Sequence, residues 1–186
     1  MVETGSIRNI VLLGHGGSGK TSLAETMLHK TGAVNRLGSV DDKTSVCDFY
    51  DEEKEHQHSI QAAVVHAEHD GKLINIIDAP GYPDFIGPAI GTLPAAETAV
   101  IVVSAAQGIE TNTRKMFELA RQQNKPCIIV INKMDADNID LPGLVGTIQE
   151  TFGSACRCAN LPSQDKKTLI DCITSEDGES PVMDVA

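Results

Sequence analysis

The octapeptide Gly14-His15-Gly16-Gly17-Ser18-Gly19-Lys20-Thr21 constrains this chain more than any other stretch. It follows Ile7 to Leu13, an apolar run that reads as a buried strand. It precedes Thr21 to Lys30, which reads as a helix with Leu23, Met27 and Leu28 near one face and Gly32 as its stop. A strand, a glycine-rich turn and a helix in that order match the P-loop pattern in full. The glycines let the backbone curl so that N–H groups point inward at phosphate oxygens, and the helix N-terminus adds its positive end. Lys20 is placed to reach the β- and γ-phosphates, Thr21 to coordinate Mg²⁺, and Ser22 continues the phosphate-facing turn.

The remaining elements extend this into a domain. Ser59 to Glu68 and Leu73 to Asp78 read as two strands joined at Asp70-Gly71, a common hairpin pair. Thr98 to Ser104 and Cys127 to Ile131 are further apolar strands, and Asn112 to Gln123 is helical. Asp140 caps a last helix whose apolar face is Leu141, Leu144, Val145, Ile148 and Phe152. Strands alternating with helices predict an α/β fold of P-loop NTPase type. Its central sheet is mostly parallel, with one antiparallel edge strand and helices on both faces. Gly38 to Glu55 shows no period and reads as a long mobile loop. Its acidic run Asp51 to Glu55 reads as a solvated face. Pro83, Pro88 and Pro94 break regularity after the hairpin.

Two more loops follow predicted strands. Asp78-Ala79-Pro80-Gly81 places an acid at a strand end beside the P-loop, suited to holding Mg²⁺. Gly81 can offer its backbone N–H to a γ-phosphate where a side chain would crowd the approach. Asn132-Lys133-Met134-Asp135 carries base selection. The Asp135 carboxylate can accept from N1–H and N2–H₂ of guanine, whereas adenine has no such donor pair and leaves the acid unsatisfied. Asn132 can bond the N7 side and tie its loop to the P-loop. The Lys133 stem can lie over the base.

These three motifs in order resemble the GTP-binding domain of the translational GTPases, with elongation factor G and its paralogues most similar. Gly14-His15, the run Asp78-Ala79-Pro80-Gly81-Tyr82-Pro83-Asp84-Phe85, Ala105-Ala106-Gln107-Gly108-Ile109 and Asn132-Lys133-Met134-Asp135 all look like that family. The resemblance implies a cytoplasmic factor that binds Mg·GTP and GDP and hydrolyses GTP on the ribosome. The contributors would be Lys20, Gly81 and Tyr82 at the reacting phosphate, and Thr21, Ser59 and Asp78 at the metal.

The departures are informative. The family usually has His after the switch Gly, positioning the attacking water, but this chain has Tyr82. A phenol with pKa near ~10 cannot become a cation near neutrality, so slow intrinsic hydrolysis is expected. Tyr82 also favours a second reading, a guanine-nucleotide-binding switch module with little hydrolysis. It looks like the divergent elongation factor G-like subgroup. His56-Gln57-His58-Ser59-Ile60 stands where the family's first switch reads Arg-Gly-Ile-Thr-Ile, so Ser59 takes the place of the Mg²⁺-binding Thr. Gly17 stands where family members often carry Asp. The family's last guanine-binding Ser-Ala is not in its place. Ser154-Ala155 falls directly after a helix, and Ile173-Thr174-Ser175 is a weaker candidate. Residues 1–153 are therefore read as the GTP-binding core. Residues 154–186 are read as the start of an inserted subdomain or a truncated tail, in a slice of a longer factor.

Composition sets the outer limits. The 186 residues carry a formal net charge of −11, which repels phosphate backbones and disfavours sequence-specific nucleic-acid binding by this segment. The five cysteines show no disulfide framework and suit a reducing cytosol, with Cys127 read as a buried free thiol. No signal peptide and no membrane span are evident. A monomer is expected. The histidines at 56, 58, 66 and 69 do not converge as a metal site, because 66 and 69 point to opposite faces of a strand.

Overall fold

The computed structural model describes residues 3–163 and 168–174. The described chain divides into two compact units, Met1–Lys133 and Met134–Ala186. The first is built on a five-stranded sheet of β1 (Ile7–Leu13), β2 (Ala63–His69), β3 (Lys72–Asp78), β4 (Thr98–Ser104) and β5 (Cys127–Asn132), in the order β2-β3-β1-β4-β5. β1 pairs in parallel with β3 and β4, and β4 with β5; β2 alone is antiparallel, at the edge. This is the predicted α/β sheet. Asp70 and Gly71 both adopt positive φ, 47° and 70°, as a two-residue hairpin turn of the right twist demands.

The pleat explains the unbroken apolar runs. Leu12, Ile76, Val100 and Val102 point to one face and pack with Ala24 of α1 (Lys20–Lys30) and with Cys47. Their neighbours Val11, Leu13, Ile101 and Val103 turn to the opposite face and are equally buried. There α4 (Thr111–Gln122) lies across β1, β4 and β5, with Met116 and Ala120 buried. Both faces are thus covered, which removes any need for polar alternation.

Three parts depart from the sequence reading. The stretch expected to be a featureless loop contains a short helix, α2 (Asp51–His56). The prolines at 83, 88 and 94 do not end regularity. They sit in a 3₁₀ turn at Pro83–Phe85, in α3 (Ile86–Thr92) and in a second turn at Leu93–Ala95. Pro83 and Pro94 occupy first-turn positions, whose N–H groups have no helical partner in any case. Cys127 is only half-buried; the buried thiol is Cys47, whose pKa burial pushes far up.

The second unit contains α5 (Leu141–Phe152), opened as expected by the Asp140 side chain accepting from the Gly143 N–H at 3.0 Å. A small antiparallel pair, β6 (Asn160–Pro162) with β7 (Leu169–Asp171), follows. Among the described residues no helix is long and apolar enough to cross a membrane.

Candidate functional site

In a parallel sheet, every strand delivers its following loop to the same edge. Here β3 ends at that edge on Asp78, and the loops after β1, β4 and β5 bring Gly14, Ala105 and Lys133 to it. The P-loop curls through positive φ at Gly17 (77°) and Gly19 (91°), where an L side chain would be strained. At Gly19 a Cβ would also collide with the Asn132 amide. That amide donates to the Ser18 carbonyl at 3.0 Å, joining the end of β5 to the P-loop.

Lys20 is buried and folds over the loop. Its Nζ donates to the His15 carbonyl at 2.7 Å and the Gly14 carbonyl at 3.3 Å. Burial lowers its pKa to about 8, partly opposed by the charge of Asp78. Thr21 Oγ1 donates to Asp78 Oδ2 at 2.6 Å and lies 3.3 Å from Ser59 Oγ. Ser59 Oγ in turn donates to Asp48 Oδ1 at 2.9 Å. The three residues singled out as metal ligands are therefore in one cluster, and Asp48 joins them.

Asp78 is fully buried. That burial raises its pKa to about 6, against the Thr21 hydrogen bond and the Lys20 charge, which lower it. Its Oδ1 has no hydrogen-bond partner. A carboxylate with an orphaned oxygen, bonded to the Thr21 hydroxyl that Ser59 adjoins, is a hard oxygen set that fits Mg²⁺, which keeps several waters and takes one or two carboxylates. The cluster opens on a cavity of about 450 Å³ lined by the P-loop with His58, Ser59, Gly81, Tyr82 and Lys133. Ser22 lines it too.

The loop after Asp78 lies close on the P-loop. A Cβ on Gly81 would meet the Lys20 ammonium and the backbone of His15 and Gly16, so only glycine fits. The Tyr82 ring covers Gly16, where a Cβ would come within 2.8 Å of ring carbons. His58 packs on that ring at 4.8 Å between centroids, and stacks on Phe85 at 5.8 Å.

The first turn of α4 holds both loops. Asn112 Nδ2 donates to the Gly81 carbonyl at 2.7 Å. His15 Nε2–H points to Gln107 Oε1 at 3.0 Å, which leaves Nδ1 to accept the Thr113 hydroxyl at 3.0 Å. The Thr113 oxygen also accepts the His15 backbone N–H at 3.2 Å. The His15 ring, counted among the nucleotide-binding residues, is thus committed to Thr113 of α4 and to Gln107 before it, and its carbonyl serves Lys20.

Lys133 is exposed, takes φ 59° and lines the cavity beside Gly19. Asp135 is exposed, in the turn that opens the second unit. Ser154-Ala155 forms a turn after α5, and Ile173 and Thr174 a turn after β7; Ser175 lies outside the described residues.

Sequence reasoning missed Asp48, Asn112, Thr113 and the acids Glu25 and Glu53. Glu25, on α1, is fully buried and accepts Ser45 Oγ (2.9 Å), Val46 N–H (2.6 Å) and Cys47 N–H (3.1 Å). Glu53, read as solvated, is buried and accepts the N–H groups of Tyr50 (3.1 Å), Ile60 (2.8 Å) and Gln61 (3.0 Å). The one signal was Glu53 three residues after Tyr50, the spacing at which an acid reaches back to a helix start.

A parallel sheet delivering a phosphate cradle, a lysine and an acid–hydroxyl cluster to one edge defines a P-loop nucleotide-binding domain. The chain matches the model of the elongation factor Tu GTP binding domain over residues 5–185, and it belongs to that family. It is 36% identical over 161 residues to an elongation factor G-like protein of Mycobacterium tuberculosis, covering 87% of this chain and 22% of that protein. It is 35% identical over 144 residues to the tetracycline resistance protein TetS of Listeria monocytogenes, covering 77% and 22%. Peptide chain release factor 3 of Streptococcus sanguinis is 33% identical over 159 residues, covering 83% and 31%. A crystal structure of a Thermus thermophilus protein superposes with a TM-score of 0.84 at 36% identity, covering 89% of this chain and 25% of that one. The chain thus spans about a quarter of the length of these relatives.

Proposed function

We propose that this chain binds GTP and GDP with Mg²⁺ and hydrolyses GTP to GDP, and that the longer protein does so on the ribosome as an elongation factor G-like factor of the cytoplasm. The observation that carries this reading is the Thr21–Asp78–Ser59 cluster beside Lys20, with Thr21 and Ser59 lining the cavity and Asp78 Oδ1 buried and unpartnered behind Thr21. Thr21 and Ser59 would hold Mg²⁺ directly, and Asp78 directly or through water. Bound there, Mg²⁺ would offset charge on the phosphate oxygens.

The protein's own groups have separable roles. Loop N–H groups from Gly14 to Thr21 cradle the phosphates. Lys20 leaves the His15 and Gly14 carbonyls for phosphate oxygens, a stronger charge-assisted partner. Gly81 offers its N–H at the γ-phosphate. Asn132, Lys133 and Asp135 select guanine. Tyr82 lies beside the reacting phosphate without acting as a strong base, so intrinsic turnover is slow.

Calorimetric titration with GDP, GTP and ATP in Mg²⁺ buffer tests binding. Uptake of both guanine nucleotides without ATP is the expected result; equal uptake of ATP would sink the assignment of Asn132, Lys133 and Asp135. Tyr82 favours the second reading, a switch module with little hydrolysis. Tyr82→His separates the two: a large gain in ribosome-dependent phosphate release shows an impaired native site, whereas good native turnover without gain shows that Tyr82 suffices.

A further inference from the structure

His58 has no role in the reading above, yet it stands at the cavity beside Gly81 and Tyr82. Its ring is fixed in two ways. It packs against Tyr82 (4.8 Å, tilted at 57°), Phe85 (5.8 Å, 27° between planes) and His56 (5.7 Å), which restricts its orientation. Its Nδ1 lies 3.0 Å from the His56 carbonyl oxygen. A carbonyl can only accept, so Nδ1 carries a proton, and in the neutral ring Nε2, on the far edge, keeps a lone pair. No described residue donates to Nε2. The same ring packs on the Tyr82 ring that covers Gly16, so it is held in the lining of the cavity that the P-loop also lines.

We propose that His58 is the residue that orients the attacking water, with Nε2 accepting one of its hydrogens. This rests on the GTP-hydrolysis reading. It places the water-orienting acceptor on the segment before β2, while Tyr82 and Phe85 serve as the platform that aims it. In the step, the water oxygen bonds to the γ-phosphorus and the bond from that phosphorus to the bridging oxygen of GDP breaks. The water protons leave with the phosphate product and solvent. His58 holds the water and takes no net proton. Positioning of this kind is sufficient in phosphoryl transfer, where little covalent chemistry falls to the protein.

Two variants separate the lone pair from the stack. His58→Phe keeps a ring on Tyr82 but has no acceptor; His58→Gln supplies a carbonyl oxygen at nearly the reach of Nε2. Single-turnover hydrolysis of labelled GTP by excess protein should fall about tenfold in His58→Phe, the scale of one lost hydrogen bond, and recover in large part in His58→Gln. Affinities for GDP and a non-hydrolysable GTP analogue, read with fluorescent nucleotides, should stay within about twofold in both. Nitrogen-15 NMR of the analogue-bound wild type, with His58 assigned from the spectrum of His58→Phe, should show the proton on Nδ1. Unchanged hydrolysis in His58→Phe overturns the proposal, as does a proton on Nε2 or an equal loss of affinity and rate. A wild-type chain that binds guanine nucleotides without any turnover removes the hydrolysis reading instead, and His58's role falls with it.

Discussion

Two segments line the cavity beside the P-loop and meet at His58 and Tyr82, and they are held in opposite ways. The segment from Ser45 to Gln61 is built from inside. Glu25 gathers three donors from its first half and Glu53 three N–H groups from its second half, and both acids are buried. The segment from Ala79 to Phe85 has no buried acid gathering its backbone; its own hydrogen bond is Phe85 N–H to the Tyr82 carbonyl at 3.0 Å, and Ala79 N–H reaches the Leu12 carbonyl at 3.3 Å. Its Gly81 carbonyl hangs on Asn112, and its rings lean on His58 and Gly16. A stretch without hydrophobic period can therefore be the more strongly built of the two. Buried carboxylates that collect backbone N–H groups do for it what strand pairing does elsewhere. The second segment is held by contacts to other elements, β1, the P-loop, α4 and His58, rather than by an acid that gathers its own backbone.

Glu25→Ala should break the contrast most. Its removal leaves three donors without an acceptor in a buried place, for a loss of about 3 kcal/mol. Urea unfolding measures it, with hydrogen exchange at Val46 and Cys47 rising; an unchanged midpoint would show that the segment does not depend on the acid. Glu53→Ala should cost less, about 2 kcal/mol, because its three donors lie nearer the surface and water can replace part of the loss. Hydrogen exchange at Ile60 and Gln61 should rise while that at Val46 does not, and a shared response would mean the two halves form one cooperative piece.

Asn112→Ala removes one buried hydrogen bond, for about 1 kcal/mol of stability. Its sharper effect is on nucleotide choice. Without Asn112, Gly81 must be ordered at the moment a γ-phosphate arrives, so GTP affinity should fall severalfold while GDP affinity holds. Competition titration reads the ratio, and an equal fall for both would make Asn112 a purely structural support. Smallest of all, Phe49→Ser at a side chain 76% exposed should change stability by less than about 0.5 kcal/mol, measured by thermal unfolding. A larger loss would show that the Phe49 ring takes part in holding the segment from Ser45 to Gln61.

Some of this was legible from local pattern. The strand–glycine–helix order fixed β1, the P-loop and α1, since apolar runs and glycines report on backbone needs within a few residues. Asp70-Gly71 announced the hairpin, and Asp140 announced α5, by turn and cap chemistry of the same short range. The stretch from Pro83 to Pro94 was misread because proline at a helix start resembles proline that ends one. Cys127 was misread as the buried thiol because it lies in an edge strand, and edge position is a property of the sheet order.

The sequence by itself determined the family and the sheet-forming runs, and it singled out Lys20, Thr21, Asp78 and Asn132 as candidate site residues, because these depend on residue type and short spacing. Only the tertiary structure decided that Glu25 supports Ser45, that Asp48 joins Thr21 and Ser59, that Asn112 holds Gly81 and that His58 meets Tyr82. Those pairs lie far apart along the chain, and nothing in local periodicity records a contact made by folding the sheet edge together.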